Sequence, residues 1–75
     1  MNFDKELDVR GLTCPLPFLR SKKALTAMAS GQVLHVLLTD PGSVRNFGVF
    51  AEQTGNELLE STEKDKFFEF YLKRK

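Results

Sequence analysis

Short apolar stretches of two different spacings alternate along the chain, without a repeat or a linker between them. Alternation of apolar and polar positions predicts four strands, at residues 6–9, 32–39, 56–63 and 66–74. Helical spacing predicts two helices, one from Pro15 to the Ser30-Gly31 pair and one from Pro41 to the residue before Gly55. The predicted order of elements is therefore βαβαββ.

The first predicted helix has one core-facing side and two leucines that lie off it. At about 100° per residue, the side that we expect to face the sheet contains these residues: Phe18, Ser21, Leu25, Met28 and Ala29. Leu16 and Leu19 fall outside this side. We therefore expect an apolar group near the start of the helix to stay at the surface, where it suits contact with a partner.

Chain length and element order together predict the fold. We expect one domain, residues 1–75, with a thin core, because a chain this short buries only about 60% of the surface that its unfolded form exposes. Two helices and four strands give two layers, with both helices on one face of the sheet, because right-handed crossovers are strongly favoured. The predicted class is α/β (α+β), a two-layer sandwich with a four-stranded mixed sheet.

Composition and charge argue against several classes of protein. The chain is 41% hydrophobic and 28% charged, as globular domains are, and no apolar run approaches the roughly 20 residues that span a membrane. The N-terminus lacks a signal-peptide pattern and a single cysteine cannot form an internal disulfide, so we expect a cytoplasmic protein. With one cysteine, one histidine and a net charge of +1, we expect no metal, no cofactor and no direct nucleic-acid binding.

Cys14 is the residue whose surroundings suggest chemistry. As the N-cap of the first helix it would lie at the positive end of the helix dipole, which favours the nucleophilic thiolate. Pro15 and Pro17 stiffen the segment, so that a partner would meet the sulfur in a fixed place. Three nearby cations can add positive potential: Arg10, Arg20 and Lys22. From the residues alone, a reactive exposed cysteine and a small buried one remain equally open.

Other polar and aromatic residues have ordinary structural explanations. Asp40 precedes Pro41 and is the expected N-cap of the second helix. His35 points away from the helices, and we expect a surface residue there rather than a general base. Phe67 and Tyr71 fall on the same outer face of the sheet, where a partner or a second copy could cover them.

The segment Leu-Asp-Val-Arg-Gly-Leu-Thr-Cys-Pro-Leu-Pro, residues 7–17, resembles the TusA/SirA-like family of small sulfurtransferases. The hallmark of that family is a Cys-Pro-x-Pro motif at the start of the first helix. The resemblance covers nearly the whole chain, continuing through residues 22–25, 39–43 and 53–59 to the basic tail at 73–75. These segments keep the order and spacing of the family.

The resemblance implies a fold like the C-terminal domain of a bacterial translation initiation factor, and it implies that Cys14 carries sulfur as a persulfide. It also implies two partners, a donor such as a cysteine desulfurase and a downstream acceptor protein. In the best-known members the relay ends in 2-thiouridine of tRNA, and other relatives serve sulfur oxidation, molybdenum-cofactor synthesis or other sulfur traffic. Members tied to tRNA thiolation commonly have Glu between the two prolines, where this chain has Leu16.

The leading hypothesis is a sulfur carrier that acts as a sulfurtransferase together with partner enzymes. Pro15 and Pro17 support the motif around Cys14, and the candidate docking residues are Arg10, Leu16, Leu19, Arg20 and Lys22. A non-catalytic regulatory module for a protein or nucleic-acid partner is the alternative, and in it Cys14 would be dispensable. A redox sensor that forms a sulfenic acid on Cys14 is a third hypothesis.

Overall fold

The helices and strands follow the predicted order. A computed structural model describes residues 2–75. Its elements are β1 (Lys5–Asp8), α1 (Leu16–Thr26), β2 (Val33–Leu38), α2 (Pro41–Thr54), β3 (Glu57–Glu63) and β4 (Phe68–Lys73). The prediction of βαβαββ is confirmed. Within residues 2–75, the helices are too short or too polar to cross a membrane.

The four strands form one mixed sheet in the order β1-β2-β4-β3. β1 runs parallel to β2, whereas β2 with β4 and β3 with β4 are antiparallel. A parallel pair needs a crossover connection, which α1 provides, while the antiparallel β3 and β4 are joined by a short turn. The predicted two-layer sandwich is confirmed, and β1 is an edge strand.

One hydrophobic core lies between the sheet and the two helices. The alternation predicted for β2 is confirmed, because Leu34, Val36 and Leu38 are all fully buried. Phe47 of α2 stacks on Phe70 of β4 with ring centroids 4.7 Å apart. Full burial of one such side chain stabilises the fold by about 1.5–3 kcal/mol, so this layer supplies much of the driving force for folding.

The first helix ends earlier than predicted. α1 stops at Thr26, and the amide of Met28 donates to the carbonyl of Leu25 at 3.0 Å, as in a tighter turn. The guanidinium of Arg74 donates to the same Leu25 carbonyl at 2.8 Å. The prediction that Ala29 faces the core is wrong, because this residue lies beyond the helix and is exposed.

The outer face of the sheet contains a buried histidine, so the prediction of a surface residue at His35 is wrong. His35 is only 6% exposed, since it stacks on Tyr71 at 4.5 Å and Phe3 covers it at 4.8 Å between ring centroids. Its Nδ1 lies 3.1 Å from a carboxylate oxygen of Glu6, and its Nε2 lies 3.2 Å from one of Glu69. These contacts link β1, β2 and β4 on the side away from the helices.

Candidate functional site

Cys14 lies in the loop that joins β1 to α1, and its free thiol is exposed. The amide of Leu16 donates to the carbonyl of Thr13 at 2.9 Å, which closes a tight turn around the cysteine. The peptide bond between Cys14 and Pro15 in this turn is cis. The thiol of Cys14 is therefore exposed to solvent, while the backbone of this residue is part of a closed turn.

The prediction that Cys14 is the N-cap of α1 is wrong. The carbonyl of Pro15 accepts a hydrogen bond from the amide of Leu19 at 3.1 Å, and Pro15 is the N-cap. Because the amide of Leu16 is used in the turn with Thr13, the helix begins two residues after the cysteine. The effect of a helix dipole is strongest within the first turn, so this offset weakens its action on the sulfur.

Pro17 has a structural role at the start of the helix. It occupies an early helical position, where the missing backbone N–H would have had no partner within the helix. Its ring is fully buried in the protein, whereas Pro15 is exposed. Pro17 thus anchors the segment that follows Cys14.

A carboxylate from the second helix holds the backbone of Cys14. Oδ2 of Asp40 accepts from the amide of Cys14 at 3.1 Å, and it also accepts from the amide and the hydroxyl of Ser43, at 3.1 and 2.8 Å. The predicted N-cap role of Asp40 is confirmed. The hydroxyl of Ser43 and the backbone amides outweigh partial burial and hold the pKa of Asp40 below its ordinary value. One carboxylate therefore fixes both the start of α2 and the position of Cys14.

A second set of contacts holds the beginning of the loop. The amide of Gly11 donates to the hydroxyl of Thr39 at 2.9 Å, and the amide of Val9 donates to the carbonyl of Leu37 at 2.8 Å. Gly11 has a φ of +85°, a backbone conformation that residues with a Cβ rarely adopt. The loop is thus tied to the end of β2 in front of Cys14 and to the start of α2 at Cys14 itself.

Arg10 is engaged within the chain. Its Nε and Nη2 each donate to the carboxylate of Asp8 at 2.9 Å, and its guanidinium lies 5.4 Å from the ring centre of Phe67. The side-chain hydrogen bond from Arg10 lowers the pKa of Asp8 to about 2. The paired carboxylate offsets the positive potential that we predicted from Arg10, and the guanidinium covers part of Phe67.

The other candidate docking residues divide between two sides of α1. Leu16 and Leu19 are 41% and 58% exposed, which confirms that apolar groups beside Cys14 remain at the surface. They line one groove together with Arg20. Lys22 lines a different cavity, near the end of α2 and the C-terminal residues. Three of the docking candidates therefore share a surface, and Lys22 does not belong to it.

Within residues 2–75, His35 lies apart from Cys14. His35 has its hydrogen-bond partners, Glu6 and Glu69, on the outer face of the sheet rather than in the loop. In the part of the chain that the structure describes, no three side chains of the metal-binding kinds come together. The described residues around Cys14 thus offer an accessible thiol and a fixed backbone.

Known proteins resemble the chain along almost its whole length. The family model described as "Sulfurtransferase TusA" matches residues 5–74. A relative from Allochromatium vinosum named "Sulfur carrier protein TusA" is 63% identical over 73 residues, which are 97% of this chain and 96% of that protein. The crystal structure of a SirA-like protein from Desulfitobacterium hafniense has a TM-score of 0.81 at 33% identity, covering 93% of this chain and 96% of that one. The chain therefore belongs to the sulfurtransferase TusA family.

Proposed function

We propose that this chain is a sulfur carrier in which Cys14 accepts sulfane sulfur from a donor protein and passes it to an acceptor protein. The observation that carries the proposal is an exposed thiol on a backbone tied to Asp40. Membership of the TusA family supports sulfur transfer as the chemistry of that thiol.

The transfer consists of two exchanges of one sulfur–sulfur bond for another. The thiolate of Cys14 attacks the outer sulfur of a persulfide on the donor, whose own cysteine leaves as a thiolate. Cys14 then holds the outer sulfur as a persulfide. A thiolate of the acceptor attacks that sulfur, and the thiolate of Cys14 is released. Neither exchange consumes an external oxidant or reductant, so the carrier needs no redox group.

The loop contributes to this reaction by keeping Cys14 in one place. Contacts to Thr39 and Asp40 and the flanking prolines reduce the ordering that each encounter with a partner would otherwise require. Exposure of the thiol lets two different partners approach it in turn. The chain supplies position, and the partner enzymes supply the remaining groups.

The partners implied by this chemistry are a cysteine desulfurase or another sulfur donor, and a downstream protein that receives the sulfur. We place the exchange in the cytoplasm, where free thiols are kept reduced. Leu16 gives the motif a neutral side chain between its two prolines, so both partners would meet an aliphatic surface next to the sulfur.

Intact-protein mass spectrometry after incubation with a cysteine desulfurase and cysteine tests the proposal. We expect one added sulfur atom on the wild-type chain, lost on treatment with a reductant and absent in Cys14→Ser. A second incubation with an acceptor protein should remove the added sulfur without a reductant. Circular dichroism of Cys14→Ser serves as the control for folding.

A regulatory module that does not use Cys14 would give the opposite result. The wild-type chain would stay unmodified with every donor tried, and Cys14→Ser would keep full activity toward its partner. That pair of outcomes would replace the carrier with the binding module.

A further inference from the structure

An open groove of about 600 Å³ lies between α1 and β1, the edge strand of the sheet. We call its aliphatic lining residues the floor; they are Leu7, Leu16, Leu19, Ala24 and Ala27. We call its three exposed cationic lining residues the rim; they are Lys5, Arg20 and Lys23. The groove begins at Leu16, two residues after Cys14, and follows the helix away from it. One end of the groove therefore lies close to Cys14 along the chain.

The positive charge of the rim is not balanced within the described chain. Lys5, Arg20 and Lys23 are exposed, and none of them forms an ion pair among residues 2–75. α1 contains no carboxylate. The two acidic residues of β1, Glu6 and Asp8, instead contact His35 and Arg10. The rim thus favours a ligand that carries negative charge.

The floor of the groove selects among negatively charged ligands. Proteins that bind single-stranded nucleic acid usually stack the bases on aromatic side chains, and no aromatic residue lines this groove. Leucine and alanine side chains instead favour burial against other aliphatic side chains. A polypeptide segment that combines aliphatic residues with Asp or Glu satisfies both the floor and the rim.

We propose that this groove binds a segment of a partner protein in which aliphatic residues are flanked by carboxylates. The segment packs its aliphatic side chains on Leu16 and Leu19 and places its carboxylates against Arg20 and Lys23. Binding there brings the partner's reacting sulfur to Cys14. The inference rests on the proposed function for the partner's role as donor or acceptor, but the ligand chemistry of the groove can be tested without sulfur.

The test is an NMR titration of the full ¹⁵N-labelled chain with short synthetic peptides. The first peptide has a centre of leucine and alanine with glutamates at both ends, the second has lysines in place of the glutamates, and the third ligand is oligouridine. We expect the acidic peptide to shift amide signals of β1 and α1 around the groove, including those of Leu7 and Lys23. We expect the basic peptide and the oligouridine to leave them in place.

Charge reversal on one side of α1, with a matched control on the other, makes the test specific. Arg20→Glu with Lys23→Glu should weaken binding of the acidic peptide by about tenfold or more, because two attractions become repulsions. Lys22→Glu reverses one positive charge on the same helix, at a residue that lines another cavity, and it should alter the affinity by less than about twofold. The single variants Arg20→Glu and Lys23→Glu, which carry the same change in charge, should each weaken binding by about threefold. Dispersed NMR spectra of all these variants check that these exposed positions tolerate the change.

Several results would contradict the proposal that this groove binds an acidic, aliphatic segment. They are an absence of shifts, shifts centred elsewhere, an equal response to the basic peptide or to oligouridine, and unchanged affinity in the doubly reversed variant. Persulfide formation on a chain that fails this test would leave the carrier function standing. Peptide binding in the groove by a chain that never acquires sulfur would support the proposed ligand of the groove and contradict the carrier function.

Discussion

At the scale of single residues, Asp40 joins two tasks in one side chain. Its Oδ2 accepts hydrogen bonds from Ser43, which start α2, and from the amide of Cys14, which lies in another loop. A residue that would otherwise serve only the stability of a helix therefore also sets the position of the reactive cysteine. Substitutions at this position should separate the two tasks.

Replacing Asp40 by serine should markedly lower the rate of sulfur transfer and have a smaller effect on the stability of the fold. Serine is itself a good N-cap and can still accept from the amide of Ser43, but its shorter side chain loses the bond to Cys14. We expect the rate of persulfide formation on Cys14 to fall about tenfold, since small misplacements of a reacting group have effects of this order or larger. Time-resolved mass spectrometry and a thermal melt measure the two effects. An unchanged rate would show that this hydrogen bond has no part in positioning the cysteine.

Ser21 differs from Asp40 in that its buried polar group forms no hydrogen bond among residues 2–75. It is fully buried on α1, and its hydroxyl has no hydrogen-bond partner among residues 2–75. We expect Ser21→Ala to raise the free energy of unfolding by about 1 kcal/mol, because a desolvated hydroxyl is removed and alanine favours the helix. Urea denaturation measures the change.

Ser43→Ala is the matched control for this prediction. Ser43 is equally buried, but its hydroxyl donates to Asp40, so its removal should lower the free energy of unfolding by about 1 kcal/mol. If both variants lost stability to the same degree, the hydroxyl of Ser21 would have to be making a favourable interaction.

At the scale of elements, β1 needs attachments beyond its backbone pairing. It is four residues long and lies at the edge of the sheet, and it leads into the loop that holds Cys14. Short edge strands are held by few hydrogen bonds, so side-chain contacts have a larger share in fixing them. His35 provides such a contact by linking Glu6 of β1 to Glu69 of β4.

A double-mutant cycle should show that Glu69 interacts with His35 more strongly than Glu6 does. The side chain of Glu69 is 17% exposed and that of Glu6 is 51% exposed, so the contact with Glu69 is less screened by water. We expect His35→Ala to lower the free energy of unfolding by about 2–3 kcal/mol, through lost packing and the loss of one of the two partners of the Glu69 carboxylate, which also pairs with Lys64 at 3.6 Å. The coupling with Glu69→Gln should be about 1 kcal/mol, and that with Glu6→Gln should be smaller. Equal couplings would contradict the role of burial.

At the scale of the whole molecule, stability at low pH should depend on carboxylates held by hydrogen bonds. Asp8 has its pKa lowered to about 2 by Arg10, and Asp40 has its pKa lowered chiefly by Ser43. A carboxylate with a lowered pKa in the folded state binds fewer protons there than in the unfolded chain, so stability rises with pH across that interval. The resulting stabilisation is complete above the ordinary aspartate value of 3.8 and is lost as the pH falls through the lowered folded values.

Melting temperatures between pH 5 and pH 2, on the order of one measurement per half unit, would test this dependence. We expect the melting temperature of the wild-type chain to be nearly constant above about pH 4 and to fall below it. Asp8→Asn removes one of the two carboxylates whose pKa is lowered and should flatten the fall. A variant that follows the wild-type curve throughout would show that the pair between Asp8 and Arg10 does not contribute.

Local patterns along the chain determine the order of the elements, the core side of β2 and the N-cap at Asp40. These features depend on neighbours within one or two turns or strand repeats. The spacing of Leu34, Val36 and Leu38, for example, is sufficient to predict the core side of β2. The same is true of the exposed Leu16 and Leu19, which lie off the packed side of α1. The family resemblance likewise depends on a local motif around Cys14.

The tertiary structure alone decides the features that need contacts between distant residues. The amide of Cys14 meets Asp40 across 26 positions of the chain, and His35 meets Glu69 across 34. The early end of α1 at Thr26 similarly involves Arg74, which donates to the carbonyl of Leu25 across 49 positions of the chain. Periodicity describes which side of an element is apolar, but it contains no information on which polar group will arrive from another element. The sequence by itself is therefore sufficient to identify the motif. The contacts that hold Cys14 and bury His35 depend on residues that only the folded chain brings together.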